Sequence, residues 1–174
     1  KVFDVEKISS QGGSLRCFIC QKRSKKKVSK NIKKIIKIEK KNNLFSNKNL
    51  EKFKLRIINH SKNMNKLIKL LKRKKKRISV YGASGKGQAL MQFSKINNKL
   101  IDYVFDKSKL KQGCFTPGTN IKIKDPRTIS RNKVDYLLIL SWNIKDEIIN
   151  QEKAFFKKGG KFIIPFPSLK IVKI

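Results

Sequence analysis

The spacing of hydrophobic and polar positions changes twice along this sequence. In residues 1–20, the stretches KVFDVEKI and SLRCFIC alternate loosely on either side of SSQGG, and this pattern predicts a β-hairpin. Residues 21–77 repeat hydrophobic side chains every three or four positions, which predicts helices. From Ile78 onward, short apolar runs alternate with helical segments, as in a parallel sheet with crossovers. The sequence therefore predicts an α/β fold, with a parallel-sheet domain over 78–174 preceded by a hairpin (1–20) and a basic two-helix linker (21–77).

Two amphipathic helices are expected in the linker. Ser29 is a suitable N-cap for the first helix, and the asparagine pair at 42–43 would end it. The second is expected to begin after the polar pair at 46–47. Its hydrophobic positions form one stripe along a single face: Leu50, Phe53, Ile57, His60, Met64, Leu67 and Leu71. Because His60 lies on this stripe, we interpret it as a packed histidine rather than a catalytic base.

The region after Ile78 contains the strand candidates of the sheet. RISVY leads into a glycine-rich turn and a helix, IDYVFD at 101–106 predicts a second strand, and Ile121 with Ile123 indicates a short third one. VDYLLILS at 134–141 is almost continuously apolar, as expected for a strand buried on both faces. One helix is predicted over Asp146–Lys158. The paired glycines at 159–160 would end it before the last strand, KFIIPFP.

The chain is strongly basic, with 45 Lys and Arg against 11 Asp and Glu in 174 residues and a formal charge of +34. Such a charge suggests nucleic-acid binding, because Lys and Arg neutralise phosphates. However, 38 of the cations are Lys and only 7 are Arg, and the chain also contains 23 Ile and 14 Asn. Lys, Ile and Asn share A/T-rich codons, and phosphate binding would not enrich Ile. We therefore attribute most of the charge to a compositional bias; +23 of it precedes Ile78.

The sequence gives little support for a metal site, a membrane-spanning segment or a disulfide bond. Cys17 and Cys20 have CxxC spacing, but no second pair follows, and one histidine does not complete a tetrahedral zinc site. We interpret the cysteines as reduced thiols. No apolar run approaches the roughly 20 residues of a membrane span, and no secretory signal is present. No catalytic set of Ser, His and Asp, of Cys and His, or of paired carboxylates stands out.

The turn GASGKG at 82–87 is the main candidate for a ligand site. It follows a strand and opens a helix, where glycines allow close approach of a phosphate and the helix N-terminus favours an anion. Asp106 ends the next predicted strand, 19 positions after Gly87, near the spacing of a ribose-binding carboxylate in dinucleotide folds. The glycine spacing is GxxGxG instead of GxGxxG, so a tight turn without a ligand remains an alternative.

Two further segments have both a structural and a functional interpretation. GGSLR at 12–16 either forms the hairpin turn or provides Ser14 and Arg16 as donors at the mouth of a site. Trp142 and Asn143 follow the most apolar strand, where ligands of open α/β sheets bind. They either contact a ligand or serve as a packing residue and a helix cap. TPGT at 116–119 predicts a turn.

Five motifs occur in a distinctive order: FDVEKISSQGGSLR, VYGASGKGQAL, DYVFDKSKLKQGCFTPGTNIKI, DYLLILSWN and GGKFIIPFP. This order resembles the C-terminal region of the SAM-dependent sugar C-methyltransferases. The resemblance runs from Phe3 to Pro167 and is strongest from Ser79 onward. Members of that family methylate a carbon next to the keto group of a nucleotide-linked keto-deoxy sugar.

The resemblance implies that the chain is the C-terminal part of a longer, cytoplasmic enzyme. The family has an N-terminal zinc-binding domain, a central domain that binds S-adenosylmethionine (SAM) and a C-terminal Rossmann-like domain. The region from Ile78 onward looks like that Rossmann-like domain. The hairpin at 1–20 looks like the last two strands of that central domain, which would be the partner of this chain. The SAM-binding loop, the zinc ligands and the catalytic base would lie upstream. The chain is therefore expected to bind and orient the sugar nucleotide and to be inactive alone.

The resemblance also implies substrate-side residues, none of them catalytic. In the hairpin these are Gly12, Gly13, Ser14 and Arg16. In the Rossmann-like domain they are Tyr81, Gly82, Gly85, Lys86, Gly87, Trp142 and Asn143. The family commonly has His before the paired glycines, where this chain has Gln11, which puts one substrate contact in doubt.

Two other functions remain as alternatives. A basic nucleic-acid-binding module would interleave aromatic and basic residues, but the run at 72–77 contains no aromatic residue. A fragment of an NAD-dependent oxidoreductase would need a GxGxxG turn and a catalytic Tyr/Lys or His set, and neither is visible.

Overall fold

The computed structural model describes residues 1–43 and 46–172. The chain divides into two compact units, Lys1–Arg56 and Ile57–Ile174, which we call the N-terminal unit and the C-terminal unit. The domain boundaries expected after residues 20 and 77 stay predictions. Within the described ranges, no helix combines the length and hydrophobicity required to cross a membrane.

The N-terminal unit contains the predicted hairpin and the first predicted helix. Strand β1 (Val2–Ile8) pairs antiparallel with β2 (Ser14–Ile19). Helix α1 (Lys30–Lys41) begins after Ser29, whose side chain accepts a hydrogen bond from the backbone N–H of Asn31 at 3.0 Å. The N-cap prediction is therefore confirmed, and the helix ends at the predicted asparagine pair. Helix α2 (Asn47–Arg73) begins in this unit and ends in the next.

The C-terminal unit is built on a six-stranded sheet. Its strands are β3 (Ile78–Tyr81), β4 (Val104–Phe105), β5 (Ile123–Lys124), β6 (Tyr136–Ile139), β7 (Lys161–Ile164) and β8 (Lys170–Val172). They are arranged in the order β5-β4-β3-β6-β7-β8, and all are parallel except β8. When the strands of this sheet are numbered from β3 as the first, this is the 3-2-1-4-5-6 order of the Rossmann fold. The prediction of a Rossmann-like α/β fold is confirmed.

Three helices of this unit cross between the parallel strands. They are α3 (Gly85–Phe93), α4 (Lys145–Gln151) and α5 (Lys153–Lys157). The single helix predicted over Asp146–Lys158 was wrong, because the backbone leaves the helical region at Glu152 (φ −96°, ψ 28°) and divides it. The antiparallel strand β8 was not predicted.

Helices cover both faces of the sheet because its central strands are apolar on both sides. On β6, Leu138 belongs to one core cluster and Leu137 to the other, as the two-residue period of a strand requires. The first cluster includes Met64, Ile68 and Leu71 of α2. The second half of the helix predicted as linker therefore packs on the sheet. In its first half, Leu50 and Phe53 of the predicted stripe are exposed.

Candidate functional site

The carboxyl ends of β3 and β6 lie side by side in the middle of the sheet. From β3, the next two strands in sequence extend the sheet on one side, and the last three extend it on the other. Ligands of open α/β sheets bind beyond the strand ends at such a point of divergence. Gly82 directly follows β3, and Ser141 comes two residues after β6 ends. The candidate site is therefore this edge of the C-terminal unit.

Two glycines of the turn are required by packing. Gly82 has φ +95°, a left-handed conformation that disfavours other residues, and a Cβ there would collide with the Oγ of Ser141. A Cβ on Gly87 would lie 2.6 Å from the Cβ of Leu140. These glycines therefore allow the turn and α3 to pack closely against the end of β6.

Gly85 differs from these two glycines because packing does not require it. A Cβ on Gly85 would meet no atom within 4 Å, and its φ is not positive. It is the first residue of α3, whose N-cap Ser84 accepts a hydrogen bond from the N–H of Gly87 at 3.2 Å. Lys86 is exposed beside it. The positive end of the helix dipole and an exposed cation thus adjoin unfilled space, an arrangement that suits an anion.

Asp106 has a structural role at this edge. Its Oδ2 accepts a hydrogen bond from the N–H of Ala83 at 2.7 Å, and its Oδ1 accepts one from the N–H of Ser108 at 2.8 Å. The ammonium group of Lys111 lies 3.5 Å from Oδ2 and donates to the Ala83 carbonyl at 3.1 Å. Because one carboxylate oxygen holds the turn and the other holds the loop after β4, Asp106 has a structural role, which disfavours the ribose-binding role. This geometry disfavours the oxidoreductase alternative.

Tyr81 lies in the core beneath α4 and α5. It is 4% exposed, and its hydroxyl is buried. Burial raises the pKa of Tyr81, and the nearby Glu152 carboxylate raises it further. Burial also raises the pKa of Glu152, against the opposing effects of the Tyr81 hydroxyl and of Lys107. Tyr81 is therefore a protonated side chain below the site rather than an exposed part of its surface.

Trp142 is part of an aromatic cluster. It lies in a 3-10 turn, Trp142–Ile144, and its ring centroid is 4.8 Å from that of Phe166. Phe166 stacks on His60 at 4.4 Å, and burial lowers the pKa of His60. The interpretation of His60 as a packed histidine is confirmed. Asn143 lies in the same turn and is exposed, and Trp142 is half-buried.

The hairpin residues belong to the N-terminal unit. Ser14 donates a hydrogen bond to the Ser10 carbonyl at 2.9 Å, and Arg16 forms an ion pair with Glu6 on the opposite strand. Gly13 and Ser14 line a cavity of about 380 Å³ next to α1. Gly12 ends a 3-10 turn, and Gln11 within that turn has φ +56°.

The structure thus brings the turn at 81–87 and residues 142–143 to one sheet edge. The sequence analysis missed Gln88 and Gln92, which tie α3 to the loop after β4. Gln88 accepts a hydrogen bond from Thr119 at 3.0 Å, and Gln92 donates one to the Pro117 carbonyl at 3.1 Å. Their spacing of four residues places both on one face of a helix, and this spacing was the feature of the sequence that could have identified them.

The described residues contain no group of three His, Cys, Asp or Glu side chains suited to a metal ion. The three cysteines are free thiols, and Cys17 and Cys114 are exposed.

Comparisons with known proteins agree with the resemblance seen in the motifs. A C-methyltransferase from Streptomyces niveus, NovU, is 38% identical over 97 residues, which are 56% of this chain and 23% of that relative. The chain thus matches about a quarter of the relative's length. Among solved structures, UDP-D-quinovosamine 4-dehydrogenase from Vibrio fischeri aligns with a TM-score of 0.41 and 18% identity. This alignment covers 57% of this chain and 94% of that one.

The sequence model of the family described as "C-methyltransferase C-terminal domain" matches residues 9–167. This range includes the hairpin loop, both helices that follow it and the whole sheet edge described above. This chain belongs to the C-methyltransferase C-terminal domain family.

Proposed function

We propose that this chain is the acceptor-binding part of a SAM-dependent C-methyltransferase. In this proposal it binds a nucleotide-linked keto-deoxy sugar and holds it for methylation of a carbon next to the keto group. Membership of the family supports the reaction class. The substrate class and the division of labour with an upstream methyltransferase domain are proposals, as is a cytoplasmic location.

The observation that carries the proposal is the start of α3 at the diverging strands. Gly85 borders space that no atom of the described residues outside its own helix turn fills, and Lys86 is exposed beside it. The diphosphate of a sugar nucleotide is a compact anion that benefits from free backbone N–H groups, the helix dipole and a nearby cation. We place the diphosphate over this turn.

The neighbouring residues would then orient the two ends of the substrate. Gly82 and Gly87 keep the turn close to β6, where Trp142 and Asn143 face the sugar, and Tyr81 supports the turn from below. In the N-terminal unit, the family resemblance assigns substrate contacts to residues 12–14 and to Arg16. Arg16 is paired with Glu6. It would therefore contribute to binding either through the electrostatic field of this ion pair or by leaving Glu6 to pair with the substrate.

The chemistry requires a base, a methyl donor and an oriented acceptor. A proton leaves the carbon next to the ketone because the resulting enolate is stabilised, and the enolate carbon then takes the methyl group. SAM supplies this methyl group when it is bound in the upstream domain, and zinc belongs to a further N-terminal domain. The residues named above bind and orient, and none of them is assigned as the base. We therefore expect the chain alone to bind substrate without turning it over.

A binding titration tests this function directly. The full chain is titrated with a deoxythymidine-diphosphate sugar by calorimetry, together with Lys86→Ala and the control Lys99→Ala. Lys99 is an exposed lysine beyond the far end of α3. The expected result is weakening of about two- to fivefold for Lys86→Ala only, typical of an exposed charge pair. No binding by the unmodified chain would overturn the proposal, and equal affinities for all three proteins would remove Lys86 from the site.

A further inference from the structure

A groove of about 530 Å³ lies between the second half of α2 and the end of α3, within the C-terminal unit. We call it the α2–α3 groove. Its α2 wall extends from Ile58 to Arg73, and its α3 wall consists of Phe93, Ser94 and Lys95. The lining positions on α2 recur at spacings of three and four residues, so they form one continuous helix face. This face is about 22 Å long, which is the length of a helix of about 15 residues.

Side chains of α2 hold the end of α3 in place beside this groove. The Ser61 hydroxyl donates a hydrogen bond to the Phe93 carbonyl at 3.1 Å, and the Asn65 amide donates one to the Ser94 carbonyl at 2.7 Å. The last carbonyls of a helix have no partner within the helix, and here α2 supplies partners for two of them. The two walls are therefore fixed relative to each other, and the groove is formed without a partner.

The groove exposes large apolar side chains to solvent. Leu70 is 47% exposed and Phe93 is 54% exposed, and neither belongs to the two core clusters of the sheet. Ile58, which is half-buried, extends the same apolar surface along α2. Apolar side chains that are exposed singly are common, but several that line one groove are typical of an interaction site.

The charges around these apolar side chains all have the same sign. Every ionisable side chain among the described residues of the groove is a cation: Lys62, Lys66, Lys69, Arg73 and Lys95. Within residues 1–43 and 46–172, none of these five forms an ion pair. Lysine is abundant throughout the chain, but its abundance does not account for exposed Leu and Phe between the cations. The groove is therefore complementary to apolar side chains that are flanked by carboxylates.

We propose that the α2–α3 groove is the docking site of an acidic amphipathic helix of a separate protein. The apolar face of that helix contacts Leu70 and Phe93, and its Asp and Glu side chains pair with the flanking lysines. A second copy of this chain is a poor partner, because two chains of charge +34 repel each other. A single-stranded nucleic acid stacks on several aromatic side chains, and the described lining contains one, Phe93.

The position of the groove favours a separate protein over an upstream part of the same protein. Phe93 lies about 12 Å along α3 from Gly85, at the end of the helix opposite to the candidate site. In the proposed function, an upstream methyltransferase domain has to face the candidate site to deliver the methyl group. The far end of α3 then stays available to another protein. Only this choice of partner rests on the proposed function, because the groove includes none of the candidate-site residues.

The test measures the binding of a fluorescent probe peptide to the full chain by anisotropy. The probe is a helical peptide of about 15 residues with leucines on one face and glutamates on the others. A scrambled peptide of the same composition has no apolar face and reports nonspecific attraction. Measurement at about 0.15 M salt screens charges that are more than about 8 Å apart. The groove variants are Leu70→Glu and the double variant Lys62→Glu/Lys66→Glu.

Each groove variant has a matched control elsewhere in the C-terminal unit. Leu110→Glu makes the same substitution at a leucine that is 93% exposed and lies outside the groove. Lys153→Glu/Lys157→Glu reverses two exposed lysines, also four positions apart, on α5, which packs on the opposite face of the sheet. Tryptophan fluorescence shows whether each variant is folded.

The patterned peptide should bind about tenfold or more weakly to both groove variants, and within about threefold of the unmodified chain to both controls. The inference is overturned if Leu70→Glu binds the peptide normally, if the scrambled peptide binds equally well, or if the unmodified chain does not bind the peptide.

Other occupants of the groove are distinguished by the same variants. A short oligonucleotide or an anionic lipid vesicle that binds more tightly than the peptide, and that loses affinity in both groove variants, would assign the groove to that ligand and overturn the inference. Dimerisation that is lost in Leu70→Glu would assign it to a second copy, with the same consequence. The nucleotide-sugar titration should be unchanged in Leu70→Glu, so it tests the proposed function separately.

Discussion

The two alanine variants of the glycine turn should behave in opposite ways. Gly87→Ala places a methyl group 2.6 Å from the Cβ of Leu140, an atom fixed to the backbone of the strand end. Gly85→Ala places the same group in open space. The two substitutions are chemically identical and lie two residues apart on one helix. Any difference between them therefore reports on packing and not on the general effect of removing a glycine.

The expected magnitudes follow from two opposing effects. Overpacking by one methyl group costs about 1–3 kcal/mol, while alanine is favoured over glycine in a helix by about 0.5–1 kcal/mol. The free energy of unfolding should thus fall by about 1–2 kcal/mol for Gly87→Ala. For Gly85→Ala only the favourable effect operates, so stability should stay the same or rise slightly. For a unit of this size, each kcal/mol corresponds to about 3–5 °C in Tm.

The chain provides its own probe for this experiment. Trp142 is the only tryptophan and lies in the C-terminal unit, against Phe166, so its fluorescence during urea unfolding reports on this unit. The same two proteins are then titrated with the nucleotide sugar, and Gly85→Ala should bind it more weakly although it is fully folded. Equal stability of the two variants would refute the packing argument. Undiminished binding by Gly85→Ala would refute the view that its open space admits the diphosphate.

Three further results are expected. Asp106→Asn should lower the free energy of unfolding by about 1–3 kcal/mol, because one of the two N–H groups that donate to the carboxylate loses its acceptor. Urea unfolding measures this change. The control is the exposed substitution Asp146→Asn, which should change stability little. Burial raises the pKa of Glu152, so its contribution to stability is fully present below the ordinary carboxyl pKa and is lost as the pH rises through the raised value. Glu152→Gln should therefore be more stable than the unmodified chain at neutral pH, with a difference that shrinks towards pH 4; a difference independent of pH would contradict this reasoning. Binding to a short single-stranded oligonucleotide should fall steeply between about 50 and 200 mM salt, and affinity retained at the higher concentration would favour the nucleic-acid alternative.

Much of the fold was predictable because its signals are local. The Ser29 cap, the hairpin around the paired glycines and the apolar strand at β6 each depend on a few neighbouring residues, and each is present. The break in the helix at Glu152 was not predictable, because the apolar positions on both sides of it fit one uninterrupted period. Strand β8 is three residues long and pairs antiparallel with β7, so its pairing depends on tertiary contacts that no local pattern encodes.

The candidate site was predictable in position but not in detail. The glycine turn and Trp142 follow strands that the apolar pattern identifies, and parallel pairing then brings both to one edge. The roles of Asp106 and Gln88 depend on partners 23 and 31 positions away in sequence, Ala83 and Thr119. Spacing alone suggested a ribose ligand for Asp106, because the sequence did not reveal that N–H groups of the turn and of the following loop already donate hydrogen bonds to its oxygens.

The unusual glycine spacing has a physical explanation that joins these observations. In a GxGxxG turn, the first glycine permits the tight turn, the second admits the pyrophosphate, and the third allows the helix to pack on a strand. Here Gly82 has the left-handed backbone, Gly85 borders open space, and Gly87 contacts Leu140. These three features occur in the same order as those roles, although the spacing is GxxGxG. Asp106 accepts a hydrogen bond from the N–H of Ala83 within this longer first interval, so this carboxylate oxygen serves the turn instead of a ribose hydroxyl. A departure from the spacing is thus compatible with phosphate binding and disfavours only a dinucleotide.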